Sequence, residues 1–359
     1  MNNNATDLTS IVDIVIPTHN RIDFLNRILS FYNYRKVKCH IVVTDSSTVT
    51  NKKKNKQIIN NYPNLNITHI TNFSSKLTQH IKFSQMVKYL NNKYSVFCPD
   101  DDFITPTGIL DCVRFLEKNP DYSAAHGGYI GFHLFKGLFD YREFWWNFRY
   151  SNHTISETKA SRRVKDHLEN FNLTTWAVRR TSDVKKSYAE FQKVKFDPYL
   201  LLMFGELLPD ILISTFGKIK YLNTFYGGRQ YFSRVASNYA TFQDGINTGK
   251  YESEYQKFRD SVVNNLQRHE DISKKDAQVC IDQAMVTYLK NSNQEYLTNK
   301  IYRGLRNAPT IIYDTLILLH AKYLLSKDKQ GLIGPIDTPS SKYYKEFDAI
   351  RKSVLDSRI

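Results

Sequence analysis

Apolar and polar positions along this chain switch repeatedly between the period of a strand and the period of a helix. Ile11 to Ile16 (IVDIVI) is a short, β-branched run closed by Pro17, the pattern of a buried strand. From Arg21 to Tyr34, residues Ile22, Leu25, Ile28, Leu29 and Tyr32 recur at helical spacing. His40 to Thr44 (HIVVT) predicts a second strand, ending in Asp45-Ser46-Ser47, and NKKKNK (Asn51 to Lys56) begins a polar helix or loop. Ile67 to Ile70 predicts a third strand and Tyr94 to Cys98 a fourth; between them Phe83, Met86, Val87 and Leu90 mark one helix face. Strand and helix alternating in this way predict a parallel sheet with right-handed crossovers. Ligands of such sheets bind at the carboxyl ends of the strands, where Asp45 and the triplet Asp100-Asp101-Asp102 fall.

Farther along, Thr107 to Lys118 reads as a helix stopped by Asn119-Pro120. Ala124 to Ile130 and Thr174 to Val178 read as strands, separated by an aromatic, basic insertion that contains Trp145 and Trp146. From about Tyr251 the pattern is helical and charged, with Val279, Ala284, Met285 and Tyr288 on one stripe. A polar, Gly-containing stretch near Tyr239 to Tyr251 marks a composition boundary. The predicted organisation is a disordered tail (1–10), an α/β domain (11–240) and a helical C-terminal region (241–359).

The 359 residues, 41% hydrophobic, are ample for a packed core, and the net charge of +15 favours anionic partners: nucleotide phosphates, nucleic acid or an acidic membrane surface. Four cysteines without C-x-x-C spacing indicate reduced cytoplasmic thiols rather than a zinc site or a disulfide framework. MNNNATDLTS lacks the features of a signal peptide. No apolar run approaches the ~20 residues of a spanning helix. The nearest, Thr310 to Leu325, carries Asp314, His320 and Lys322. A soluble, cytoplasmic protein is expected, with peripheral contact to the inner face of a membrane left open.

The aspartates carry the chemistry. On an extended strand end, side chains two apart point the same way, so Asp100 and Asp102 aim at one point. Two such carboxylates repel unless a cation sits between them, and their hard oxygens suit Mg²⁺ or Mn²⁺. In a basic protein this pattern suggests a metal–diphosphate site. An exposed acidic turn that caps the next helix is the competing explanation.

VDIVIPTHNR at the start, VVTDSS at the second strand and SVFCPDDDF at the fourth resemble the GT-A nucleotide-sugar glycosyltransferases. They are most similar to the inverting family-2 type and to a bacterial offshoot with a triple-aspartate motif. The resemblance spans Ile11 to Ser237, including TTWAVRRT (Thr174 to Thr181) and GKIKYLN followed by GGRQ, and does not reach the helical C-terminus. It implies a Rossmann-like, mostly parallel mixed sheet flanked by helices, with a helical C-terminal extension. It also implies metal-dependent transfer of a sugar from a nucleotide-diphosphate sugar, with inversion, to a hydroxyl acceptor in surface glycan synthesis (polysaccharide, lipopolysaccharide or capsule). The donor would be a UDP-sugar and the acceptor a glycan or a lipid-linked molecule.

Within that resemblance, Pro17, Thr18, Asn20, Arg21 and Asp45 would hold the nucleotide sugar, with Asp45 accepting from base or ribose. Asn72, Lys76 and His80 follow the third strand; Lys76 and His80, four apart, would share a helix face that meets the diphosphate. Asp100 and Asp102 would hold Mn²⁺ or Mg²⁺, supported by Asp101, and Arg229 and Arg234 would face the pyrophosphate. The family's catalytic base lies in an acidic pair at a helix start. FGELLPDIL instead supplies Glu206 and Asp210, four apart. Pro209 suits a first helical turn, which would put Asp210 at a helix N-terminus; Asp210 is the preferred base, followed by Glu206 and then Asp197. Trp145, Trp146 and Trp176 are candidates for sugar stacking or for the core. Arg162-Arg163 and Arg179-Arg180 are expected as surface or acceptor contacts, and His126-Gly127-Gly128 as an acceptor-side strand and loop. The C-terminal helices would meet anionic lipid or a second copy of the chain. A sugar nucleotidyltransferase is the alternative, but it would carry a Gly-rich basic loop where this chain has Pro-Thr-His-Asn-Arg. A nucleic-acid binder leaves the aspartates unexplained, so no nucleic-acid partner is expected.

Overall fold

The computed structural model describes residues 8–136, 142–149, 152–171, 174–230, 241–305 and 334–357. Strands β1 (Val12–Thr18), β2 (His40–Asp45), β3 (Ile67–Ile70) and β4 (Tyr94–Phe97) form the parallel half of a nine-stranded sheet. The order is β3-β2-β1-β4-β8-β6-β9-β5, with β7 added on β6. In the second half, β8 (Val178–Arg180) runs antiparallel to β4 and β6 (Tyr122–Lys136), and β9 (Lys218–Gln230) is parallel to β6. The two-residue β5 (Phe103–Ile104) pairs with β9 at the edge. This is the α/β, GT-A-like mixed sheet that the sequence predicts.

Strand side chains alternate between two cores because their period is two. Val15, Val42 and Phe97 face one, and Ile14, Ile16, Ile41, Val43 and Val96 the other. The first face is covered by α3 (Gln79–Met86), α5 (Ala160–Glu169), α6 (Thr181–Lys193), α7 (Leu201–Phe216), α9 (Tyr251–His269) and α10 (Lys274–Leu305). The second is covered by α1 (Ile22–Tyr34), α4 (Pro106–Lys118) and α11 (Tyr344–Leu355). Helix α2 (Val49–Asn60) follows β2, and the short α8 (Phe242–Asn247) precedes α9.

The residues beyond 240 therefore divide between both faces. Glu346 of α11 is buried; it pairs with Arg35, the residue that caps the end of α1, at 2.8 Å and accepts from the backbone and hydroxyl of Thr107 at the start of α4. Three sequence expectations shift. Thr174–Trp176 is a 3₁₀ turn that leads into β8, because a carboxylate of α7 captures its first polar groups. The aromatic insertion is a strand, β7 (Arg142–Arg149), paired with β6. Pro209 lies inside α7, not in its first turn. Among the described residues no helix is long and apolar enough to cross a membrane. Residues 1–7, Arg234 and the Thr310–Leu325 run lie outside the described residues.

Candidate active site

The chain turns immediately after β4, and the Asp102 N–H donates to the Pro99 carbonyl at 3.1 Å. Asp100 and Asp102 are thus on a turn rather than an extended pair, and their repulsion is relieved by arginines from opposite ends of the domain. Asp100 accepts from Arg21 Nη1 and from the Thr18 hydroxyl, each at 2.8 Å. Asp101 accepts from Arg21 Nη2 at 2.8 Å. Asp102 accepts from Arg229 Nε at 3.2 Å and from the Gln230 N–H at 2.9 Å. Burial, reinforced by Asp101, pushes Asp100 above the usual carboxylate range even against the opposing pull of Arg21. Behind the turn, buried Arg27 donates to the Asp101 carbonyl and to Gln230 Oε1; burial brings its pKa down to about 10. Gly227 lets β9 reach this place: a Cβ there would lie 2.3 Å from the Phe103 carbonyl oxygen.

At the ends of β1 and β2, Asp45 is fully buried and accepts from Ser47 N–H, Asn55 Nδ2 and His69 Nε2. Burial alone would raise its pKa, but the His69, Ser47 and Asn55 hydrogen bonds prevail and hold it at about 2. Asn20 adopts a left-handed backbone (φ 55°), which asparagine tolerates. It ties the β1–α1 loop to the β2–α2 loop, accepting from Thr48 N–H and donating its own N–H to Ser47 Oγ. Pro17 pairs with Thr44 in the β1–β2 ladder.

The cation of this region is one the sequence reading missed. Lys82 is buried on α3, and its ammonium donates to the Thr18 carbonyl and Ser46 Oγ, both at 3.1 Å. Burial lowers its pKa to about 8 against the attraction of Asp100 and Asp45. Its signal was a lysine four residues before Met86, on the helix's buried stripe. The expected Lys76–His80 face does not form: Lys76 is exposed and precedes α3, whereas His80 is buried against Phe83 and Gly205. Burial lowers the His80 pKa to about 4, so it is neutral and cannot serve as a diphosphate cation. Asn72 donates to the Tyr89 hydroxyl.

On the opposite side, α7 presents Glu206, partly exposed, one helical turn before fully buried Asp210. Burial, then the Asp210 charge, raise the Glu206 pKa to about 7, with Arg229 opposing. Asp210 sits in the helix interior, which removes the helix N-terminus argued for it; its oxygens accept from Thr174 N–H and the Thr175 hydroxyl. Burial raises its pKa too, although His167 and Arg179 act the other way. Asp197 pairs at the surface with Lys250.

Trp176 is buried beside Arg229, whose guanidinium carbon stands 5.9 Å from the ring. Trp146 packs against Phe148 and Phe347 of α11, as a core residue; Trp145 precedes it on β7. Arg179 and Arg180 are not surface or acceptor contacts. Arg179 is fully buried over Phe97, and Arg180 donates to the carbonyls of Tyr122, Leu116 and Asn119. Arg163 likewise donates to carbonyls at the end of α7, while Arg162 is exposed. His126 is buried inside β6, and burial brings its pKa down to about 4.

No group of three His, Cys, Asp or Glu side chains that could cage a metal occurs among the described residues. The oxygens of Asp100 and Asp102 are taken by Arg21, Thr18, Arg229 and the Gln230 N–H, so a hard divalent ion would have to displace these partners to reach them. Mg²⁺ takes one or two protein carboxylates and draws its other ligands from phosphates and water, and Asp100 and Asp102 supply carboxylate oxygens of that kind.

Residues 13–186 match the Glycosyl transferase family 2 model. No curated protein matches the chain. Among solved structures, S. aureus TarS 1–349 covers 96% of this chain with 90% of its own length, at 13% identity and a TM-score of 0.50. The same protein in complex with UDP-GlcNAc aligns at 15% identity over 95% of this chain and 90% of its own, with a TM-score of 0.51. Residues 13–186, whose strands carry Asp45 and the acidic turn in this mixed sheet, are thus a family 2 glycosyltransferase domain of the GT-A nucleotide-sugar type.

Proposed function

We propose that this enzyme transfers a sugar from a UDP-sugar to a hydroxyl acceptor with inversion and divalent-metal assistance, in surface glycan synthesis. Residues 11–240 are the catalytic unit in this reading, and the helices beyond brace it. The geometry that carries the proposal is the partly exposed Glu206 of α7 on the side of the site opposite the Asp45 loop, with the Arg229 that pairs with Asp102 acting on it; burial raising its pKa supports the reading.

The nucleoside end of the donor would meet Pro17, Thr18 and the loop that Asp45 and Asn20 hold in place. Asp45 already serves three protein donors, so its contribution is chiefly to shape that loop. Lys82, Arg21 and Arg229 supply positive charge for the diphosphate. Mg²⁺ or Mn²⁺ held by Asp102 and Asp100 would neutralise charge on the departing diphosphate, a Lewis-acid role. Glu206 accepts the proton of the acceptor hydroxyl, whose oxygen attacks the anomeric carbon. The bond from that carbon to the diphosphate oxygen breaks on the opposite face, and its electron pair leaves with the nucleoside diphosphate. A base near pKa 7 is both ionised and basic enough at neutral pH. This reading moves the base from Asp210 to Glu206, because Asp210 is buried with both oxygens engaged.

The UDP-GlcNAc held by TarS makes that donor the first to test. Thermal melting with UDP-GlcNAc, UDP-glucose and GDP-mannose, each with and without Mn²⁺, should show metal-dependent stabilisation by a UDP-sugar. Asp102→Ala should abolish it. An Asp102→Ala response equal to that of the unmodified protein would remove the metal assignment, and Glu206→Gln with full turnover would remove the base.

A further inference from the structure

The acidic turn after β4 is neutralised by the chain's own cations. Arg21 places one guanidinium nitrogen 2.8 Å from Asp100 and another 2.8 Å from Asp101. Its guanidinium carbon rests 4.0 Å from the centre of the Phe24 ring, which holds the fork over the turn. Arg229 holds Asp102 at 3.2 Å and stands 5.9 Å from the Trp176 ring. In each pair the arginine is the outer member. The Arg21 side chain is 17% exposed and Asp100 2%; Arg229 is 31% exposed and Asp102 9%. A cation coming from solvent therefore meets a guanidinium before it meets either carboxylate.

The charges balance as they stand. Asp100, Asp101 and Asp102 are set against the guanidinium groups of Arg21, Arg229 and, behind the turn, Arg27. A divalent cation added to this set brings charge with nothing to offset it, and it competes with guanidinium pairs of the charge-assisted, strong kind. A nucleoside diphosphate changes both terms. It brings negative charge, and its phosphate oxygens are the acceptors that a guanidinium fork matches. Ligands of one ion are neighbours, so the two arginines need only swing from carboxylate to phosphate.

We propose that Arg21 and Arg229 are the resident counter-ions of the acidic turn, closing it to divalent metal until a nucleoside diphosphate draws them onto its own oxygens and frees Asp100 and Asp102. The inference rests on the metal-assisted reading above and adds an order to it: nucleotide and ion enter together, each raising the affinity of the other.

The test is Mn²⁺ uptake by the full chain, read from the electron paramagnetic resonance signal of the free ion, with UDP and without any nucleotide. The unmodified protein should bind Mn²⁺ weakly alone and about tenfold more tightly with UDP. Reciprocity requires Mn²⁺ to tighten UDP by the same factor. Arg21→Met removes the competing charge and keeps much of the side-chain length. Without nucleotide it should bind Mn²⁺ about tenfold more tightly than the unmodified protein, and its gain from UDP should shrink. Adding Asp100→Asn to Arg21→Met should abolish the new affinity, which assigns it to the turn. Arg21→Lys, a point charge that cannot bridge two carboxylates, should fall between. A purely structural role for Arg21 predicts the opposite sign, because a loosened turn binds the ion less well.

Equal Mn²⁺ affinity with and without UDP in the unmodified protein would overturn the proposal. So would a folded Arg21→Met whose nucleotide-free affinity is unchanged or lower. Should Arg21→Met not fold, Arg229→Met releases Asp102 in the same way and carries the same expectation. The nucleotide-free gain needs no donor, so it holds whichever sugar nucleotide the enzyme uses. Failure of the metal reading is seen separately: Mn²⁺ then stays unbound by every variant even with UDP, which overturns both. Failure of the proposal alone leaves UDP-dependent uptake by the unmodified protein intact and the variants without their gain.

Discussion

Replacing Asp210 by asparagine removes the negative charge one helical turn from Glu206 while keeping the side chain's shape. The asparagine oxygen can still accept from Thr174 N–H, and its amide can donate to the Thr175 hydroxyl, so the 3₁₀ turn should survive. Helix neighbours four apart have Cβ atoms about 6 Å from each other. Two unit charges at that distance repel by about 3 kcal/mol at an effective dielectric near 20, which corresponds to about 2 pH units. That is an upper bound, because burial also raises the Asp210 pKa and reduces the charge it carries near neutrality; half the effect gives about 1 unit. Glu206 must be deprotonated to act as a base, so its pKa of about 7 sets the acid limb of kcat. In Asp210→Asn that limb should move down by about 1–2 pH units, making the variant relatively faster below neutrality. The assay is UDP release from UDP-GlcNAc with Mn²⁺ across the range from about pH 5 to about pH 9. An acid limb that stays in place in a folded Asp210→Asn enzyme would refute the electrostatic coupling and leave burial as the sole cause given for the raised pKa of Glu206.

Other outcomes follow from the same geometry. Lys82→Met removes two hydrogen bonds that join the ends of β1 and β2; it should cost about 2 kcal/mol in denaturant unfolding and raise the donor KM about tenfold. Asp45→Ala leaves three donors unanswered and should cost about 3 kcal/mol. Because the folded-state pKa of Asp45 is depressed to about 2, its stabilisation is present above the ordinary carboxylate pKa of about 3.9 and fades as pH falls toward the folded value. Urea midpoints across that acidic window should fall in the wild type and change less in the variant. Glu346→Ala strips a buried partner from Arg35 and from the start of α4. It should lower stability by about 3–5 kcal/mol while leaving kcat of the folded enzyme unchanged.

The parts of this protein that were legible beforehand are those dictated by neighbours in sequence. β1, β2 and β4 announce themselves because strands buried on both faces must be continuously apolar and β-branched, and an acidic triplet after such a strand stands out against a basic chain. His80 and Lys82 show where that legibility stops. They differ by two positions, so which one is buried neutral and which one reaches the strand ends depends on where α3 begins. That point, Gln79, is decided by how residues 71–78 cross from the sheet. Pro209 looked like a helix start because local rules place proline there; tertiary packing of α7 against α5, α6 and α9 tolerates it in the interior instead.

Alone, the order of residues determined the sheet's parallel half, the location of the acids at a strand's carboxyl end and the class of chemistry they suit. Only the folded chain decided which charges meet. Asp100 and Asp101 find Arg21, 79 and 80 positions earlier, and Asp102 finds Arg229, 127 positions later. Hydrogen-bond and Coulomb energies depend on distance in space, and strand order β1-β4-β8-β6-β9 rather than sequence separation sets that distance.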